Sequence, residues 1–184
     1  MEPITPLLTW QNAVQEAQND AQIRLNEDLE SYLVFLLMRF MRRPDMAQSV
    51  CGLEFLQAHQ AFDHHLAFRE VGDKCLLFSG LFPAVALRRR VSVQYYIALG
   101  QSAYNTLAQQ TSKEGALFGT LAEEFVTLRD VLCCLRKEAN EKLKEDLLST
   151  LSLWHENQSQ LALAAIEDKL GDPHRIFRGN RHVH

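Results

Sequence analysis

At 184 residues the chain has the length of one domain and can bury roughly 70% of the surface its unfolded form exposes, so a core needs no disulfide or metal. Its 47% hydrophobic and 23% charged residues exclude a disordered or fibrous chain. The formal net charge of -4 supplies no overall field for nucleic acid or an acidic membrane surface.

The opening MEPITPLLTWQ has no cationic region leading into an apolar one, so no secretory signal is expected. Proline resists helix interiors, and Pro3, Pro6, Pro44, Pro83 and Pro173 mark joints between helical blocks. The first long block runs from about Leu25 to Arg42, where Leu29, Tyr32, Leu33, Leu36, Leu37 and Phe40 recur at three- and four-residue steps. Within it, the longest apolar run, Tyr32 to Met38, ends at Arg39, far short of the ~20 residues a membrane span requires. Asp45 and Gln48 resemble a capping box, and a second helix is expected from there through Cys51, Phe55, Ala58, Phe62 and Leu66. Gly72 and Asp73 are read as a break, with a third helix from Lys74 to about Phe82.

Pro83 and Arg88, Arg89 and Arg90 are read as a connection, after which Ser92 is placed to cap a helix through Tyr95, Tyr96, Leu99, Ala103 and Leu107. Leu117, Leu121, Phe125, Leu128, Leu132 and Leu135 predict one further helix. The stripe resumes at Leu147, Leu148, Leu151 and Trp154, and a last helix is expected from Ser159 to a stop at Leu170 and Gly171. No stretch alternates as a half-buried strand would. The expected fold is all-α: a single compact bundle of about six helices over residues 1–171, followed by a flexible basic tail, 172–184, holding Arg175, Arg178, Arg181 and three histidines.

Cys51, Cys75, Cys133 and Cys134 show no C-x-x-C spacing and sit in apolar stretches, so four free thiols in a reducing, cytoplasmic compartment are expected. The chain has no G-x-S-x-G, G-x-x-x-x-G-K or H-E-x-x-H pattern, and no glutamate has a histidine three residues later. His59, Asp63, His64 and His65 are the densest group of metal-capable side chains. His59 and Asp63 would share a helix face, either as half of a metal site or as a histidine oriented by a carboxylate. Without a second ligand cluster no metal is assigned, and no cofactor or catalytic residue either.

The segment from Arg69 to Tyr104 combines Gly72, Gly80 and Gly100 with both signs of charge and three tyrosines. Each glycine weakens a helix by about 1 kcal/mol relative to alanine, which suits close approach of a neighbour or a ligand. Glu70, Asp73, Arg90, Tyr95, Tyr96 and Tyr104 are therefore the candidate ligand-binding residues. One reading is a structural acid–arginine pair with tyrosines filling the core. The other is an anion or nucleotide site served by the arginine triplet, although adjacent arginines on a helix cannot all face one ligand.

The pattern Gly72-Asp73, Leu77-Phe78-Ser79-Gly80-Leu81-Phe82, then Tyr95-Tyr96-Ile97 through Gly100, Ala103 and Tyr104 resembles that of a family of small bacterial helical proteins without an assigned activity. Trp154, Ser159, Leu163, Leu170 and Gly171 look like that family's ending. The resemblance implies a bacterial, cytoplasmic, helical protein and carries over no catalytic residues. The expected function is non-catalytic: binding a protein partner or a small regulatory ligand. The alternative is a small-molecule binding protein or enzyme with a pocket between the Glu70–Phe82 and Tyr95–Tyr104 helices.

Overall fold

A computed structural model describes residues 6–40, 43, 46, 48–110 and 114–136, which form an all-α bundle with no strand among them. In chain order its helices are α1 (Pro6–Ala21), α2 (Glu27–Phe40), α3 (Cys51–Ala58), α4 (His64–Gly80), α5 (Pro83–Arg89), α6 (Val93–Gln110), α7 (Gly115–Glu123) and α8 (Phe125–Leu135). No helix among the described residues is long and apolar enough to cross a membrane. The Asp45 cap, the helices expected at 147–154 and 159–171, and the tail 172–184 lie outside the described residues.

Helix α4 is the centre of the bundle. It packs most extensively on α6 and also meets α3, α5 and α8, while α1 packs on α2 and α8, and α7 lies on α6. From Val71 to Gly80 every residue of α4 is buried, including Asp73, Lys74 and Ser79. Leu33, Leu36, Leu37, Leu121, Phe125 and Leu128 are all buried in the same core, with Phe55 partly buried against it, as their spacing predicts.

Local chemistry explains several of the helix ends. Asn26 Oδ1 accepts from the Leu29 N–H at 2.9 Å, and Glu27, Asp28 and Glu30 fill the first turn of α2 with Arg39 in its last, matching the helix dipole at both ends. Ser92 caps α6 by accepting from the Tyr95 N–H at 3.1 Å. The C-terminal carbonyls of α4 are met by one face of α8. Arg129 Nε donates to Ser79 O at 3.2 Å, Cys133 Sγ to Gly80 O at 3.4 Å and Arg136 Nη1 to Leu81 O at 3.0 Å. Arg129 also pairs with Asp130 at 2.9 Å, both fully buried.

The observed elements depart from the sequence reading in four places. Residues 6–21 form α1, whose buried face of Val14, Ala17, Gln18 and Ala21 is too small and polar to stand out as a stripe. The expected helix from 45 to 66 is broken after Ala58, because Asp63 Oδ1 caps α4 through the Leu66 N–H at 2.9 Å and His64 Nδ1 bonds the Ala58 carbonyl at 2.7 Å. The expected single helix across 117–135 bends at Glu124 (φ -89, ψ 14), where α7 against α6 gives way to α8 against α1 and α4. Finally, α4 runs unbroken through Gly72-Asp73, and Pro83 starts the short helix α5, which ends at Arg90 in the left-handed conformation (φ 55).

Candidate functional site

Gly72 and Asp73 hold the middle of α4 for complementary reasons. A Cβ on Gly72 would stand 2.4 Å from Tyr104 Cε1, so only glycine admits the α6 tyrosine ring at this depth. Asp73, one residue on, is 3% exposed, and burying its carboxylate requires charge-assisted partners. Tyr32 Oη from α2 donates to Oδ1 at 2.6 Å, and Tyr104 Oη donates to the same oxygen at 2.7 Å. Arg39 Nη2 donates to Oδ2, and Arg69 Nε lies 3.9 Å from Oδ2 with its guanidinium carbon 5.5 Å from the Tyr32 ring centre. The two tyrosines meet edge to face at 6.3 Å, with Phe118 and Phe125 completing the aromatic shell around Tyr104.

Burial first, and the Asp73 charge second, push the hydroxyls of Tyr32 and Tyr104 well above the ordinary tyrosine range. Both hydroxyls are therefore locked as protonated donors, and both carboxylate oxygens are engaged. Such an arrangement ties α2, α4 and α6 together. It does not present a nucleophile or a base.

A shallower ionic layer borders this centre. Lys74 Nζ pairs with Glu54 at 2.7 Å and lies 3.8 Å from Glu70, which accepts from Arg43 at 3.1 Å. Arg39, Arg43, Glu70, Asp73 and Lys74 line an open cleft between α2 and α4, closed on its apolar side by Leu36, Phe40, Met46 and Leu77. Its volume of about 20 Å³ suits roughly one ordered water.

Of the six residues singled out from sequence, the structure brings Glu70, Asp73 and Tyr104 into this neighbourhood. Tyr96 is buried elsewhere on α6, with its ring 5.5 Å from those of Phe78 and Tyr95. Tyr95 is half-exposed, and its Oη occupies the place where a Gly52 Cβ would be. Arg90 serves as the left-handed stop of α5, while its neighbour Arg89 donates to the Ser49 carbonyl and lies 5.5 Å over the Phe78 ring. The partners that sequence reasoning missed are Tyr32, Arg39, Arg43, Arg69 and Lys74. Tyr32 and Arg39 carried a signal, because both sit in or next to the apolar stripe of α2. The His59–Asp63 pair is not formed: Asp63 caps α4, and His59 packs edge-on against Phe55 and Phe68 at 5.5 and 4.9 Å. Among the described residues no group of three or more metal-capable side chains converges.

The opposite side of α3 has a different character. Cys51 and Ala58 face the core, whereas Val50, Leu53 and Leu56 are 55%, 53% and 66% exposed, and their three-residue spacing puts them on one outward flank. Phe62 and Leu66, beside the start of α4, are exposed as well. Arg89, at the end of α5, donates to the carbonyl of Ser49, the residue before Val50, and its neighbours Leu87, Arg88 and Arg90 are exposed. Between Gln48 and Phe62 the one acidic residue is Glu54, and it is turned to Lys74. The flank is therefore apolar, with Arg89 at its start. Comparison with family models, with curated proteins and with solved structures finds no match to this chain.

Proposed function

We propose that this is a non-catalytic binding protein of the bacterial cytoplasm, whose α3 flank docks a protein segment that carries an apolar stripe bordered by carboxylates. The observation that carries the reading is exposed Leu53 and Leu56 on a helix whose other side is anchored in the core, with exposed Val50 just before it. Large apolar side chains gathered on one surface mark interaction sites more often than isolated ones do. Charge supports the choice of partner, since Arg89 reaches the start of the flank and Glu54, the one acidic residue of α3, is already paired. The bacterial and cytoplasmic terms rest on the sequence pattern and the unpaired cysteine spacing.

A photo-crosslinking residue at exposed position 57, beside Leu53 and Leu56, tests the reading in bacterial cells that produce the chain. One discrete protein adduct is expected there and not from position 16 on α1, with the crosslinked peptide rich in Asp or Glu. Equal adducts from both positions would refute it.

A second reading, anion binding, attaches to the α2–α4 cleft, where Arg39, Arg43 and Lys74 converge. Because the cleft has room for about one water and its cations are paired, an anion would have to displace Glu70 from Arg43 and Lys74 and compete with Asp73 for Arg39. Inorganic phosphate or pyrophosphate at 100 times its dissociation constant would add about 2.7 kcal/mol of stability. A melt unmoved by either anion at tens of millimolar would remove this reading.

A further inference from the structure

The start of the α3 flank lies one short helix away from the point where the described chain ends. Arg136, its last residue, donates from Nη1 to the Leu81 carbonyl at 3.0 Å, which sets the end of α8 beside the end of α4. Helix α5 begins there at Pro83 and is 7 residues long, about 10 Å at the helical rise. At its far end Arg89 donates to the Ser49 carbonyl, directly before exposed Val50. From Arg136 the chain continues through Lys137 to His184.

We propose, resting on the reading of the flank as a docking surface, that in the free protein the chain's own segment 145–154 covers it and holds it closed to an external partner. That segment carries the pattern the flank takes. Leu147, Leu148, Leu151 and Trp154 recur at helical spacing, with Glu145 and Asp146 directly before them. At the helical rise the stretch from Val50 to Leu56 and the stretch from Leu147 to Trp154 are each about 10 Å long, so stripe and flank match in extent. Arriving from the α5 side, Glu145 and Asp146 meet the end of the flank that Arg89 reaches. Glu54, the acid that would repel them, is held by Lys74 at 2.7 Å. Lys142 and Lys144 come earlier in the chain, before the contact begins.

Reach permits the contact. Residues 137–146, which join Arg136 to Leu147, can span up to about 33–36 Å, more than the length of α5 with an arginine side chain at either end. So short a tether holds the segment at an effective concentration of about millimolar, and two apolar surfaces of one chain both leave water when they meet. A diffusing partner with the same pattern must displace the tethered copy before it can bind. The later apolar run of Leu161, Leu163, Ile166 and Leu170 fits less well, because its acids, Glu167 and Asp168, come near its far end, away from Arg89.

The test is photo-crosslinking from position 57 in the purified full-length chain, at high dilution, followed by peptide mapping. The expected product has the mass of one chain and joins the α3 peptide to the peptide that holds Leu147 to Trp154; position 16 on α1 should not give it. Leu147→Asp combined with Leu151→Asp should abolish this internal crosslink and raise severalfold the adduct that position 57 forms with an external protein in cells. The proposal is overturned if position 57 gives no internal crosslink, if the crosslink falls on residues 161–170 or joins two chains, or if the Leu147→Asp, Leu151→Asp pair leaves the external adduct unchanged. The docking surface itself is judged separately: an external adduct that is lost in the Leu53→Asp, Leu56→Asp chain keeps the flank as a binding site even where the internal crosslink is missing and this occupant is struck out.

Discussion

Asp73 shows how one buried carboxylate sets what its neighbours can do. With Tyr32, Tyr104 and Arg39 all donating to it, removing one donor strips a bond to a charged group, worth about 1.5–3 kcal/mol. Tyr104→Phe should therefore lower stability by roughly that amount in a urea melt. A tyrosine reserved for a ligand would leave the melt nearly unchanged. Asp73→Ala removes the shared acceptor and leaves two buried hydroxyls and a guanidinium unpaired, so a loss of about 3–5 kcal/mol is expected. The same centre governs behaviour in alkali. Tyr32 and Tyr104 have raised pKa values in the fold, so the folded state holds protons that the unfolded chain releases near pH ~10. Their contribution to stability is complete below that pH and drains away above it. Spectroscopic titration should show Tyr32 and Tyr104 ionising only as the helical signal collapses. Ionisation of all four tyrosines near pH ~10 with the helices intact would contradict the geometry.

Among the elements, glycines decide how closely helices approach. Gly72 faces the Tyr104 ring, Gly100 faces Phe125 and Gly80 faces Leu132, which explains why α4 and α6 tolerate them. Gly72→Ala should destabilise by about 1–3 kcal/mol through overpacking. Gly119→Ala, where the added carbon would lie an ordinary 3.8 Å from Ala108 Cβ, should be neutral or stabilising by up to about 1 kcal/mol. A paired thermal melt compares the two directly. The same contacts show where sequence reading runs out. Periodicity located α2, α6 and the combined α7–α8 stripe because their buried faces are large and apolar. It suggested a break at Gly72-Asp73 because glycine and aspartate are helix stops in isolation; the stop is overridden by a tyrosine from a helix some thirty residues away. Helix α1 escaped notice because its inner face is built of alanines, a valine and Gln18, whose side chain accepts from the Leu25 N–H and donates to Glu30.

For the molecule as a whole, the Asp73 centre and the α3 flank divide the work. The first fastens α2, α4 and α6, and the second presents apolar side chains outward from a helix held by Cys51, Ala58 and Phe55. Only Glu70, Asp73 and Tyr104 of the Asp73 neighbourhood were legible in the sequence, where they combined burial-averse groups with helix-weakening glycine. The rest depended on tertiary placement, since nothing in the local sequence says that Arg39 and Tyr32 turn to Asp73 while Arg90 ends a helix. The α3 flank was equally hidden, because the stripe read from the sequence, Cys51, Phe55, Ala58, Phe62 and Leu66, passes over Leu53 and Leu56, and its last two members prove to be exposed. The most direct test is the adduct yield from the crosslinker at position 57 in the Leu53→Asp, Leu56→Asp chain, compared with the same chain lacking those two changes. Both side chains are exposed, so stability should stay within about 0.5 kcal/mol while the adduct disappears; an adduct of undiminished yield from a stably folded variant would contradict the assignment of this flank as the binding surface.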